Sequence, residues 1–314
     1  MKSGLWILIV VMIAGLVVGY ALKGRIQPPT TETEQAQLKA IIGLTDPEAK
    51  IHRLEGFIAD FPASQLKASA YNYIGRELLD AVKDTTRFVG FARQTIERET
   101  DPESKALMYY RLYNLKIEAR PEEAALLGNE LLKVPITAGW IYNHIGYDLA
   151  ERSRDLDLAV ALCTRAIELA RERGDSAQCL DSRGFAYYQR GNYTEAIADL
   201  EAARILYDQP EPEVLLHLGA AYLKGGQADK GFDAFRSVLV LAEDEQARAA
   251  VDSMMTEWRY SPRKKQAFED ALWQERFAAA QPAIGFTMAA LDGSSHTFEP
   301  AGGNLVLLNF TSPT

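Results

Sequence analysis

Between about Asp46 and Ala280 the apolar residues recur at three- and four-residue intervals, the spacing that lines one face of an α-helix. Ile51, Leu54, Phe57 and Ile58 make one such stripe. Nothing in this region alternates at period two, so the pattern predicts helices there and no strands. Asp46-Pro47-Glu48 reads as a helix start: the Asp caps, the Pro suits the first turn and the Glu faces the positive helix end. The same start recurs at Asp101-Pro102-Glu103, and Pro121-Glu122-Glu123 is a third. Phe61-Pro62-Ala63-Ser64 closes one helix and opens the next.

The pattern differs at both ends. Gly4 to Leu22 is 19 residues without a charge, long enough to cross a hydrocarbon core of about 30 Å. Lys2 precedes it, Lys23 and Arg25 follow, and Trp6 and Tyr20 stand near its ends, where amphipathic rings favour the headgroup region. An uncleaved single-pass anchor is the expectation; the alternative is a cleaved signal peptide using the small pair Gly19 and Ala21. A short inside tail with the body exported, on the periplasmic or extracellular side of an inner membrane, is the simpler topology. Residues 26–45 are polar with Pro28 and Pro29 and read as a spacer. After Pro282 the residues alternate around Asp292-Gly293, a hairpin signal, and Asn304 to Phe310 is an apolar run suited to a buried strand.

Short helices with short turns direct attention to internal repeats. In one unit Gly184 allows close helix approach, Tyr187 shares its face, Gly191-Asn192 turns the chain, and Ala196, Leu200 and Ala203 line the second helix. A further copy begins 35 residues on, with Leu218-Gly219, Tyr222, Gly226, Gly231, Phe235 and Val238. A preceding copy carries Ile145-Gly146, Leu149, Ala159, Cys163 and Ala166; its 38-residue offset implies turn insertions at Ser153-Arg154 and Glu172-Arg173-Gly174. This spacing resembles the tetratricopeptide repeat (TPR), about 34 residues long, over residues 137–244. Residues 46–136 read as degenerate hairpins of the same kind, and 245–281 as capping helices and linker.

The TPR resemblance implies that the first helix of each unit lines a concave surface. Carried over position by position, that surface takes Asn143, His144 and Tyr147 from the first clear unit, Asp181, Ser182, Phe185 and Tyr188 from the second, and Leu216, His217 and Leu223 from the third. Aromatics interleaved with hydrogen-bonding groups suit a protein or peptide partner; the plainer alternative for Phe185 and Tyr188 is packing between helices. Lys224 is the one nearby base, so recognition of a partner's C-terminal carboxylate is not indicated. Cys163 falls on the inward face, where a small buried hydrophobe is the default role.

Residues 282–314 resemble the opening of a thioredoxin-like domain of membrane-anchored thiol–disulfide oxidoreductases. The match runs through Phe286-Thr287-Met288, Leu291-Asp292-Gly293 and Val306-Leu307-Leu308-Asn309-Phe310, with Thr311 to Thr314 in the approach to the C-x-x-C of that family. The resemblance places the first catalytic cysteine at position 315, outside this sequence. Cys163 and Cys179, the chain's two cysteines, are neither a C-x-x-C pair nor a zinc set.

The chain has 314 residues and a net charge of −9, which argues against a general nucleic-acid binder. Arg259, Arg263, Lys264 and Lys265 form a local basic cluster beside Pro262, read as a solvated linker and helix start. His52, His144, His217 and His296 are scattered without metal-ligand spacing. No phosphate-binding glycine loop, nucleophile elbow or H-E-x-x-H occurs. The expected fold is therefore all-α: a TPR-type helical-hairpin solenoid after an N-terminal transmembrane helix (residues 1–25), with a short incomplete β segment of thioredoxin-like character at the C-terminus. The expected function is a membrane-anchored scaffold that binds a protein or peptide partner and touches the lipid bilayer through its first helix, with no cofactor, metal or nucleic acid. The alternative is the N-terminal part of a TPR-containing thiol–disulfide oxidoreductase.

Overall fold

The computed structural model describes residues 32–241, 245–257, 261–279, 286–289 and 295–298. The apolar segment 4–22 and the expected strand at 304–310 lie outside them, and among the described residues no helix is long and apolar enough to cross a membrane. The chain forms two compact units, residues 1–231 and 232–314.

The first unit runs α1 (Glu32–Ile42), α2 (Pro47–Asp60), α3 (Lys67–Arg76, extended by a π-helical turn Glu77–Ala81), α4 (Thr85–Arg98), α5 (Pro102–Lys116), α6 (Pro121–Leu131), α7 (Trp140–Glu151), α8 (Leu156–Leu169), α9 (Arg173–Arg190), α10 (Tyr193–Leu206) and α11 (Pro212–Lys224), and reaches into α12 (Ala228–Leu241). Side-chain caps fix several starts: the Asp46 carboxylate accepts from the Glu48 N–H at 3.2 Å, Asp84 from Arg87 at 2.9 Å and Asp101 from Ser104 at 2.9 Å. Each capped helix thereby satisfies one of its orphan N–H groups.

Consecutive helices pack as hairpins, and the first helices of successive hairpins lie side by side: α3 with α5, α5 with α7, α7 with α9, α9 with α11. Stacking gives each hairpin the apolar partner it lacks alone. Leu54, Phe57, Ile74, Phe88 and Met108 fill the N-terminal core, and Tyr113, Leu131, Ile141, Tyr142, Leu149 and Leu162 the next. Two local expectations are corrected. The polar stretch 26–45, read as a spacer, is helical over Glu32–Ile42, because Leu38 and Ile41, one turn apart, bury against the following hairpin. Arg173-Gly174, read as turn, is the opening turn of the 18-residue helix α9.

The repeat glycines stand where helices meet. A Cβ on Gly146 would lie 2.5 Å from Cys163 Sγ and 3.0 Å from the Ala159 carbonyl oxygen; one on Gly184 would lie 2.7 Å from Leu200 Cγ; one on Gly231 would lie 2.9 Å from the Gly219 carbonyl oxygen. Gly56 in α2 faces open space. Two substitutions of the same kind should therefore differ in sign. Gly146→Ala should destabilise by about 1–3 kcal/mol through overpacking, while Gly56→Ala should stabilise by about 0.5–1 kcal/mol through helix propensity. Urea denaturation of the two variants checks both, and equal effects would show that the α7–α8 contact is looser than described.

Cys163 and Cys179 are both buried free thiols. Burial raises both thiols above the ordinary range, Cys179 to about 11 with help from the Asp175 charge. Both should resist alkylation in the folded chain and react once it is unfolded; a thiol count with and without denaturant tests this.

The second unit contains the rest of α12, α13 (Glu245–Glu257), α14 (Pro262–Ala279), β1 (Phe286–Ala289) and β2 (Ser295–Phe298). Phe232 and Phe268 meet edge to face with ring centroids 6.3 Å apart, and Arg236 Nε donates to Glu275 at 2.5 Å. Lys264 and Lys265 sit in the first turn of α14. β1 and β2 pair antiparallel, Phe286 opposite Phe298 and Ala289 opposite Ser295, so the connection spans Asp292-Gly293.

Candidate functional site

The first helices α7, α9 and α11 carry the ten residues assigned to the concave face. Their spacing along α9 (Asp181, Ser182, Phe185, Tyr188) is one helical face, and the adjacent helices bring matching faces beside it. The structure joins five of the ten. Phe185 is central: its ring lies nearly parallel to His217 at 4.2 Å, 5.6 Å from Tyr147 and 6.2 Å from Tyr188. His217 Nδ1 is 3.0 Å from Asp181 Oδ1. The Tyr147 hydroxyl donates to Glu213 Oε1 at 2.6 Å, so α7 is tied directly to α11 across the intervening hairpin.

The other five stand differently. His144 is exposed and turns to Tyr110 and Trp140, with ring centroids 5.7 and 6.4 Å away. Leu216 is half-buried outside the ring cluster. Ser182 and Asn143 are buried. Leu223, also placed on the groove by the repeat register, is instead a core residue.

Beside the rings lies a cavity of about 380 Å³, lined among others by Asn143, Tyr147, Asp181, Ser182, Tyr207 and Val214. Glu151, Gln178, Glu211 and Glu213 complete its wall and were missed by the sequence reading. A signal for three of them existed: Glu151 lies one turn beyond Tyr147, Gln178 one turn before Ser182, and Glu213 one turn before His217. Glu211 precedes α11 in a loop and had none. Asn143 is 7% exposed, and its Oδ1 has no hydrogen-bond partner.

Electrostatics in the cavity are acidic. Burial raises the Tyr207 hydroxyl above its ordinary range, and the Asp181, Glu211 and Glu213 charges add to the effect. Burial likewise raises Tyr147, with its hydrogen bond to Glu213 next in weight. Behind the groove, Arg183 grips Asp199 with two parallel bonds of 2.6 and 2.8 Å, fixing α9 on α10. Among the described residues no group of three or more His, Cys, Asp or Glu converges on a metal position. What the site presents is ring faces and acceptors, the chemistry of recognition.

No family profile matches the chain, and no curated sequence does. Among solved structures, one described as the MamA RS-1 ArsTM double mutant is 19% identical, matched over 59% of this chain and 97% of its own, with a TM-score of 0.44. Another, TTC0263, a thermophilic TPR protein in Thermus thermophilus, is 18% identical, matched over 69% and 98%, with a TM-score of 0.32. The class itself rests on the hairpin geometry of the first unit: a helical, TPR-like stack with Gly146 and Gly184 at the close approaches.

Proposed function

We propose that this protein is a membrane-anchored TPR-type scaffold that holds a protein or peptide partner against α7, α9 and α11. The observation that carries the reading is the joined face of Tyr147, Phe185, Tyr188 and His217 beside an open cavity. Asn143, His144, Asp181, Ser182 and Leu216 complete the contact set. Half-buried rings held in a fixed array offer large contact area at small entropic cost, which is how interface anchors work. The apolar segment 4–22 supports the anchor, and the body is proposed to lie on the periplasmic or extracellular side.

A photo-crosslinking side chain placed at Gln178 tests the groove in cells. A discrete protein adduct is expected at Gln178 and none from a probe at Gly56, and Tyr188→Ala should cut the yield with helicity unchanged. Interface anchors of this kind are worth about 2 kcal/mol or more, roughly thirtyfold in affinity. If the two probe positions give the same adducts, the groove is not the binding face. Carbonate extraction of the chain with and without residues 4–22, and protease access in spheroplasts, test the anchor and its side.

A second reading is favoured by the antiparallel ribbon Phe286–Ala289 with Ser295–Phe298, which falls in the segment that resembles the opening of a thioredoxin-like domain. In that reading the groove serves a thiol–disulfide oxidoreductase. Reading the gene past codon 314 tests it: a C-x-x-C within the next few codons supports it, and its absence there removes it.

A further inference from the structure

Arg111 on α5 is a half-buried cation that the fold positions without giving it an anion. Its stem fills the space left by Gly75 on α3, where a Cβ would lie 2.9 Å from Arg111 Cδ. Its Nε donates to Asn72 Oδ1 at 2.8 Å. Among the described residues neither terminal nitrogen has a hydrogen bond or an ion pair, and neither is sealed from solvent. Burial pushes Arg111 below the ordinary guanidinium range; the Asp80 charge opposes this and the Arg76 charge adds to it. A half-buried charge is costly to leave unpaired, and the fork that remains open is held at its stem and at its third nitrogen.

The fork stands on the groove side of the stack. Asn143 and Tyr147 lie three residues before and one after Gly146, and Asp181 and Phe185 lie likewise about Gly184. Counted from Gly75, the same places fall to Asn72 and Arg76. The contacts repeat as well: Asn72 meets Arg111 of the next first helix as Asp181 meets His217. Tyr110, beside Arg111 in sequence, sets its ring against Trp140 and His144 of α7, with centroids 5.4 and 5.7 Å away. Trp140 is 51% exposed, so the helix between α5 and α9 carries open aromatic surface. We propose that Arg111 receives an aspartate or glutamate side chain of the polypeptide held in the groove, its two terminal nitrogens donating to the two carboxylate oxygens, with the more exposed Arg76 as a second charge alongside. This rests on the groove being the partner-binding face. Two helix spacings separate α5 from α9, about 20 Å, and an extended twelve-residue segment reaches about 40 Å. One segment can therefore touch Arg111 and Phe185 together.

The test selects random twelve-residue peptides on the full chain, displayed by their C-termini so that only side-chain carboxylates are on offer. Clones whose binding needs Tyr188 should be enriched in aspartate or glutamate. Their affinity should fall about tenfold in Arg111→Met, since hydrogen bonds to a charged group are worth about that much. Arg111→Lys should lose nearly as much, because an ammonium is a point charge without the planar fork; full affinity there would overturn the two-oxygen geometry. The methionine keeps a stem against Gly75 and removes a half-buried charge, so its melting temperature should be equal or higher. A clearly lower one would mean that the guanidinium serves to tie α5 to α3, and overturns the site. Clones that need Tyr188 yet lack acidic residues, or bind Arg111→Met undiminished, overturn it too and leave the scaffold standing. Finding no clone that needs Tyr188 overturns both. Inorganic phosphate binding as tightly as the selected peptides would overturn the polypeptide source in favour of a free anion.

Discussion

Replacing Lys50 by methionine, alone, should destabilise the first unit by about 3–5 kcal/mol. Lys50 Nζ lies 2.9 Å from Glu77 Oε1, and the two side chains are 11% and 7% exposed. Removing the cation strands the Glu77 carboxylate in a site built to hold it with a partner, leaving only the half-exposed Arg76, 3.8 Å away. The penalty belongs to the orphan charge more than to the bond that is lost. Lys50→Met/Glu77→Leu should therefore be markedly more stable than Lys50→Met. Urea titration of the two variants decides it. If the double variant is no better than the single, the cost lies in packing around the π-helical turn instead.

Glu99→Ala should cost about 3 kcal/mol and remove a pH dependence. The carboxylate takes Lys67 Nζ and the Tyr71 hydroxyl, each at 2.9 Å, and the N–H groups of Thr100 and Asp101 at 2.7 and 3.0 Å. Burial works to raise this carboxyl, but the donors outweigh it and hold it down at about 2. In the unfolded chain it titrates near its ordinary value of about 4.3. The stabilisation is thus complete above that value and drains away as pH falls toward 2. The gap in unfolding free energy between the native chain and Glu99→Ala should be flat from pH 7 to about 5 and narrow below about 4. A gap independent of pH down to 3 would show that the four donors do not act on a charged group.

What the sequence made legible was local. Asp46-Pro47 and Asp101-Pro102 marked helix starts because a cap is satisfied within its own turn. Gly146 and Gly184 gave the repeat register because only a residue without Cβ fits there. That register also carried Tyr147, Phe185, Tyr188 and His217 to one face. Helix α1 was illegible because its buried face is only Leu38 and Ile41 in a polar segment. The buried pairs Lys50–Glu77 and Lys67–Glu99 were not legible, since burial of a charge depends on a partner roughly thirty residues away. The acids of the cavity wall were illegible as a set for the same reason. Glu151 and Glu213 meet across one cavity only through the angle at which three hairpins stack, and no single repeat encodes that angle.

The Tyr147–Glu213 bond, 66 residues apart in sequence, stands out in a unit whose substantial pairings otherwise join elements one or two apart. Neighbour-only pairing means each hairpin can form as soon as it is synthesised, with little loop-closure entropy to wait for. The acidic mouth is the exception: α7 and α9 will have folded before the residue that spans them has been translated. During that interval the Tyr147 hydroxyl has no Glu213 to meet and the pocket has no far wall. Translation itself therefore delays completion of the groove, whose far wall is in place only when α11 docks.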